Sequence, residues 1–332
     1  MLNIDFHFVK QLLSKKSNII ITTHKSPDGD ALGSSLALFH SLKHKHNVRV
    51  IVPNNYPDYF NWMPGNNKVL IYEGNEDKCD IWINNADIIF FLDLNKLYRT
   101  HTMSVVLRNS QAYKIMIDHH EEPEDFCDQT LSDPNICSTA ELIFDFVSKM
   151  EFSLNKSIAI CLYTGIITDS GSLRYPNVTS ETHLKTAELM SFGINHSLIH
   201  QNLFDSQNKS RLDLLKAVLI NLKIFKKEKT AITFLMDADL INYNYKKGDT
   251  EGFVNLPLSI KGIVFSAFFI QFEDGIKMSF RSQGNFDVNL FAKKYFNGGG
   301  HKNASGGFLK DRNVEKTLEY FSSVLKEYLL KV

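Results

Sequence analysis

Four short clusters of Asp and His stand out in this chain, each at the edge of an apolar run. The first is His24-Lys25-Ser26-Pro27-Asp28-Gly29-Asp30-Ala31-Leu32-Gly33-Ser34, which places one His and two Asp within seven residues. Hard oxygen and imidazole donors of this kind suit Mn²⁺ or Mg²⁺. Gly29 allows a tight turn that aims both aspartates at one point. Taken alone, the same string fits equally a solvated turn with Asp30 capping the next helix. The second cluster is Asp93, which closes Phe90-Phe91-Leu92 and reads as a cap or as a site residue. The third is Asp118-His119-His120, directly after Lys114-Ile115-Met116-Ile117, a rarer string at a strand end. The fourth is Asp169, which follows Thr164-Gly165-Ile166-Ile167-Thr168 and opens a Gly/Ser loop.

No single cluster decides between chemistry and a polar turn; their combination does. Carboxylates brought together without a cation repel one another and rise in pKa. Two divalent cations about 3.5–4 Å apart, the spacing of two-metal hydrolytic sites, remove that cost. The four clusters therefore predict a two-metal centre built from loops at the ends of buried elements.

The elements that must carry these loops are legible as hydrophobic runs. Residues 18–23, 48–52, 87–92 and 114–117 read as buried strands, and 31–43, 139–150 and 157–168 as helices. Continuous apolar strands alternating with helices predict a parallel sheet covered on both faces, with its site at the carboxyl edge. Residues 180–225 turn mainly helical and read as a connection. Beyond them, 230–236, 263–272 and 275–281 are β-rich, and Phe272-Glu273-Asp274-Gly275 is a hairpin signal. The predicted boundaries are 1–190, 191–225 and 226–332. The Phe-rich run 265–272 reads as core strand and not as a base-stacking platform.

The strings HKSPDGDALGS, LDLN, DHH and TGIITDSGS resemble, in order, the signature motifs of the DHH phosphoesterase superfamily. Gly298-Gly299-Gly300-His301 and the glycines after it resemble the signature of the DHH-associated C-terminal domain. That domain occurs in RecJ-like enzymes and in bacterial nanoRNase/pAp phosphatases, and the compact length is most similar to the latter branch. The resemblance implies an α/β, two-domain fold: a parallel-sheet DHH domain, a smaller mixed-sheet domain, and an active-site cleft between them. It implies that His24, Asp28 and Asp93 bind one Mn²⁺ or Mg²⁺, and that Asp30, Asp93, His119 and Asp169 bind the other. Asp93 would then bridge. His120 is similar to a histidine that contacts the scissile phosphate, and Asp118 would orient His119 or His120. Arg281 and the residues Gly298, Gly299, Gly300 and His301 would grip the substrate, with Arg174 and Tyr175 candidates to line the cleft.

Composition narrows the partners. Lys plus Arg and Asp plus Glu each total 37. A zero net charge does not suit a protein that coats long duplex nucleic acid. Cys79, Cys127, Cys137 and Cys161 form no CxxC pair, which argues against a zinc ribbon and fits free thiols in a reducing cytoplasm. No apolar stretch approaches the roughly 20 residues of a spanning helix, and the amino terminus does not read as a signal peptide. The expectation is a cytoplasmic hydrolase with no membrane partner, for which a homodimer remains open. Its implied substrates are short oligoribonucleotides, cut to mononucleotides, and 3′-phosphoadenosine 5′-phosphate. A dinucleotide-specific phosphodiesterase of cyclic-dinucleotide turnover is the alternative activity. A non-catalytic nucleotide-binding module is the alternative class, and a pyrophosphatase fits less well because related pyrophosphatases lack the GGGH domain.

Overall fold

The computed structural model describes residues 4–311 and 313–329. The chain divides into two units between Ser206 and Gln207.

The first unit is built on six strands: β1 (Asn18–Thr22), β2 (Asn47–Val52), β3 (Val69–Ile71), β4 (Ile88–Leu92), β5 (Tyr113–Asp118) and β6 (Gln129–Ser132). All pair in parallel, in the order β3-β2-β1-β4-β5-β6. Its helices are α1 (Phe6–Leu12), α2 (Gly29–Leu42), α3 (Glu76–Asn84), α4 (Ser104–Asn109), α5 (Thr139–Lys149), α6 (Lys156–Asp169), α7 (Ser180–Ser191) and α8 (His196–His200).

Side chains alternate across the sheet, as a strand's period of two requires. Ile19, Ile21, Phe90 and Ile115 join a core with Leu36 of α2, Phe146 of α5 and Ile158 of α6. Ile20, Phe91 and Met116 point the other way, toward Cys79 and Ile83 of α3 and Leu107 of α4. Both faces are covered, which is why β4 is apolar at every position and β1 and β5 are apolar in their middles. The strand order reverses between β1 and β4, and a crevice at the carboxyl ends of such a pair is the usual ligand position in open α/β sheets.

Helices α2 and α6 pack with their backbones almost touching. A Cβ on Gly33 would lie 2.6 Å from the Cys161 carbonyl oxygen and 2.9 Å from the Gly165 nitrogen. One on Gly29 would lie 2.4 Å from Thr168 Oγ1. The turn expected at Gly29 therefore imposes a demand for space and not a left-handed torsion. Gly33→Ala is expected to destabilise the fold by about 1–3 kcal/mol, because the obstructing atoms are backbone and the helices must separate. A urea midpoint equal to wild type would show that the crossing yields freely.

The second unit contains α9 (Lys209–Ile220), β7 (Lys223–Phe225), β8 (Thr230–Leu235), α10 (Asp237–Asn242), β9 (Phe265–Phe272), β10 (Gly275–Ser282), α11 (Val288–Tyr295), β11 (Gly299–His301), β12 (Ala304–Leu309) and α12 (Val314–Leu329). Its sheet runs β11-β12-β10-β9-β8-β7. It is mixed: β8 and β9 are parallel and the other neighbours antiparallel. The hairpin forms over Glu273-Asp274. The Phe-rich strand is core. Phe265 and Phe269 pack among Phe280, Phe291 and Phe321 beneath α11 and α12, edge-on to Phe291 and Phe321 respectively. Phe268 and Ile270 face Leu214 and Val218 of α9. All four cysteines are free. Among the described residues, no helix is long and apolar enough to cross a membrane.

Candidate metal centre

β1 ends at Thr22 and delivers His24 into the loop before α2. His24 Nδ1 donates to the Lys25 carbonyl at 2.9 Å. A carbonyl only accepts, so the proton sits on Nδ1 and the Nε2 lone pair is directed inward. Nε2 lies 3.2 Å from Asp93 Oδ2 and 3.8 Å from Asp28 Oδ2. Asp28 caps α2, its Oδ1 accepting from the Asp30 and Ala31 nitrogens at 3.0 Å each. Its other oxygen is thereby turned toward His24. The turn reading makes Asp30 the helix cap; the cap is instead Asp28, whose second oxygen joins the cluster, and Asp30 is buried inside the helix.

Asp30 lies in the first turn of α2 and is buried. Its two oxygens accept from the first backbone N–H groups of α5, Thr139 at 2.7 Å and Ala140 at 2.8 Å. Those donors have no partner within their own helix, so Asp30 and the end of α5 satisfy each other.

Asp93 follows β4 in a left-handed conformation, with φ 58°, which costs a residue bearing a Cβ some backbone energy. Its Oδ2 faces His24, while Oδ1 lies 3.6 Å from His119 Nε2 and accepts from Thr139 Oγ1 at 3.0 Å. His119 Nδ1 donates to the Ile136 carbonyl at 3.2 Å. Its Nε2 is then surrounded by Asp169 Oδ2 at 3.4 Å, Asp93 Oδ1 at 3.6 Å and Asp30 Oδ2 at 4.0 Å. Asp169 is the last residue of α6. Beyond Ser170, Gly171, Ser172 and Leu173 all take positive φ, a strained turn of the kind that gathers at functional sites.

Asp118, fully buried at the end of β5, grips His120 twice. Its Oδ1 accepts from Nδ1 at 2.7 Å and its Oδ2 from the His120 backbone nitrogen at 3.0 Å. Orientation is thus divided: Asp118 holds His120, and the Ile136 carbonyl holds His119.

The electrostatics report a field that attracts cations. Burial, then the charges of Asp93, Asp169 and Asp28, push the Asp30 carboxyl well above the usual range. Burial opposes charge on Asp93 too, but His24, His120 and His119 together outweigh it and hold Asp93 well below that range. Burial lowers His24 and His119, yet the surrounding aspartates raise both above the ordinary imidazole value. A proton on Nε2 and a divalent cation at Nε2 answer the same field.

Asp93 also groups with Asp118 and His120, which are bonded to each other, and it joins two further donor sets: His24 with Asp28 and Asp93, and Asp30 with Asp93 and His119. In each set one ligand atom per residue lies within 4.8 Å of the others. Ligand atoms about 2.1 Å from an ion stand about 3 Å apart when adjacent and about 4.2 Å when opposite. The observed separations fit, the donors are all carboxylate or imidazole, and Asp93 belongs to both sets.

The comparisons speak to the same architecture. A model described as the DHH family N-terminal domain matches residues 18–166, and one described as the DHHA1 domain matches 228–328. The structure of an exopolyphosphatase-related protein from Bacteroides fragilis is 41% identical, covers 98% of this chain and 97% of that one, and superposes with a TM-score of 0.94. The chain belongs to the DHH family. As a DHH-family phosphoesterase it is a hydrolase acting on ester bonds. The bifunctional oligoribonuclease and PAP phosphatase NrnA of Thermus thermophilus is 29% identical over 94% of this chain and 90% of its own length. RecJ of Thermus thermophilus in complex with Mn²⁺, at 13% identity and a TM-score of 0.56, covers all of this chain and 55% of RecJ and shares the fold.

In this DHH chain the other candidates sit as follows. Arg174 is exposed in the turn after α6, its Nε donating to the Gly171 carbonyl at 2.7 Å. Tyr175 packs its ring over Gly171. In the second unit, Arg281 lies in β10 with Nη1 donating to the Phe280 carbonyl at 3.0 Å. Gly298 precedes β11, which carries Gly299, Gly300 and His301. Adding a Cβ to Gly298 would place it 1.9 Å from the Gly306 carbonyl oxygen, and Gly300 has φ 149°. Gly298 and Gly300 are thus demanded by close strand packing in β11 and β12, whereas Gly299 has room for a Cβ.

Two contributors were not singled out in the sequence. Thr139 and its neighbours touch three of the clusters at once: the Ile136 carbonyl holds His119, the Thr139 and Ala140 nitrogens hold Asp30, and Thr139 Oγ1 holds Asp93. Ser138-Thr139-Ala140-Glu141 carries a helix-start signal, but the partner of its first N–H groups lies more than a hundred residues away. Arg99 is the other; its charge pushes down both His24 and His120, behind the larger effect of burial.

Proposed function

We propose that this phosphoesterase uses two Mn²⁺ or Mg²⁺ ions to shorten very short oligoribonucleotides to mononucleotides, and that it removes one phosphate from 3′-phosphoadenosine 5′-phosphate. The observation that carries the metal part is Asp93, whose two oxygens face His24 on one side and His119 on the other. The likeness to NrnA along nearly the whole chain supports the substrate class. Bound divalent cations would lower the pKa of water and neutralise charge on the phosphoryl oxygens. His24, Asp28 and Asp93 would hold one ion; Asp30, Asp93, His119 and Asp169 would hold the other. Thr139 and the α5 amino terminus keep Asp93 and Asp30 from rearranging. Asp118 fixes the His120 ring against the reacting group. Arg281 and the Gly298 to His301 segment are proposed to bind the substrate, with Arg174 at its edge.

The test is a panel. Chelation should abolish turnover of pAp, a dinucleotide and a pentanucleotide, and Mn²⁺ should restore it. Long single-stranded RNA should be the poorer substrate, since a neutral chain offers no extended basic track. Full activity in excess chelator would overturn the metal reading. Turnover confined to dinucleotides would favour the signalling-product phosphodiesterase, and release of phosphate from polyphosphate alone would overturn the nucleotide assignment.

A further inference from the structure

We propose that Arg99 binds the phosphoryl group undergoing hydrolysis and is a catalytic residue of this site. The inference rests on the phosphoesterase reading. Arg99 sits in the short turn Leu97–Met103 and is half-buried. This turn is suspended between the two loops that carry the histidines. On the His24 side, the Lys25 nitrogen donates to the Arg99 carbonyl at 2.7 Å. On the His120 side, Asn95 Nδ2 donates to the Glu121 carbonyl, and the Glu124 nitrogen donates to the Asn95 carbonyl at 2.7 Å. Glu124 Oε2 also accepts from the Leu97 nitrogen at 2.9 Å.

The guanidinium itself is aimed by one neutral group, Asn95 Oδ1, at 3.3 Å from Nη1. Among the described residues it has no carboxylate partner, although Glu121, Glu122 and Glu124 lie in the adjoining loop. Glu122 pairs with Lys96 at 3.5 Å and Glu124 with Arg108 at 3.7 Å. A half-buried guanidinium left without a counter-ion, beside a cluster of acids that does not claim it, is arranged for an anion that arrives. Its planar fork matches two phosphoryl oxygens. The turn is also strained two residues on, where His101 takes φ 55°, ψ −128°. Side chains other than glycine adopt that conformation only when their surroundings impose it.

Arg99→Gln and Arg99→Lys test the assignment, because the bond to Lys25 uses the Arg99 carbonyl and survives both changes. The probes are Mn²⁺, inorganic phosphate and bis(p-nitrophenyl) phosphate. Mn²⁺ affinity and thermal midpoint should match wild type in both variants. In Arg99→Gln the Kd for phosphate should rise by on the order of tenfold, and kcat/KM for the aryl diester should fall by on the order of a hundredfold. Lysine should recover part of the loss, as a charge without the fork. Phosphate binding and kcat/KM both unchanged, or Mn²⁺ lost along with them, would overturn the assignment, as would a wild type that binds no phosphate. If wild type hydrolyses none of the nucleotides yet binds phosphate through Arg99, the substrate reading fails and the assignment stands.

Discussion

Asp93→Asn should cost on the order of a thousandfold or more in kcat, a larger loss than any other single ligand change. Asparagine is the better probe than alanine because it tolerates the left-handed backbone that Asp93 adopts at φ 58°. It also preserves the acceptor for Thr139 Oγ1. What it removes is the charge that both donor sets share. Calorimetry should therefore show Mn²⁺ binding weakened at two sites together, with the circular dichroism spectrum unchanged. His24→Ala serves as the control, since its ring borders only one set. An Asp93→Asn enzyme with near wild-type kcat would remove Asp93 from the centre of the mechanism.

His120→Asn should lose on the order of a hundredfold to a thousandfold in kcat with Mn²⁺ content intact. His119→Ala should instead reduce Mn²⁺ affinity first. The two adjacent histidines differ because their Nδ1 protons go to different acceptors. Ile136 turns His119 Nε2 toward Asp30, Asp93 and Asp169, whereas Asp118 claims His120. Asn at position 120 keeps a donor near Asp118, so a buried carboxylate is not stranded. Asp118→Asn should cost a further tenfold to a hundredfold in wild type, roughly the value of an orienting partner, and almost nothing once His120 is gone. Additive losses would mean that Asp118 acts by another route. Loss of Mn²⁺ in His120→Asn would make His120 a ligand.

The parts legible along the chain are those whose physics is local or periodic. The short apolar runs within 18–23, 87–92 and 114–117 read as strands buried on both faces, and they became β1, β4 and β5. Parallel strands place their carboxyl ends on one edge, so acids following those runs had to meet there. That is why four separated strings could be read as one site. The Glu273-Asp274 hairpin follows from a similarly short-range signal.

Tertiary structure alone decided which atom faces which. A sequence shows that Asp118 precedes two histidines, but the choice between them depends on the Ile136 carbonyl arriving from the loop before α5. It shows a helix starting at Thr139, but not that Asp30 from α2 completes that helix's unpaired N–H groups. It shows Gly33 as an ordinary helix residue, whereas only the α2–α6 crossing leaves no room for a methyl group there. Arg99 is one arginine among many until the turn that carries it is tied to Lys25 on one side and to Glu121 on the other. Hydrogen-bond direction, backbone clearance and a missing counter-ion are relations between distant segments, and no periodicity along the chain encodes them.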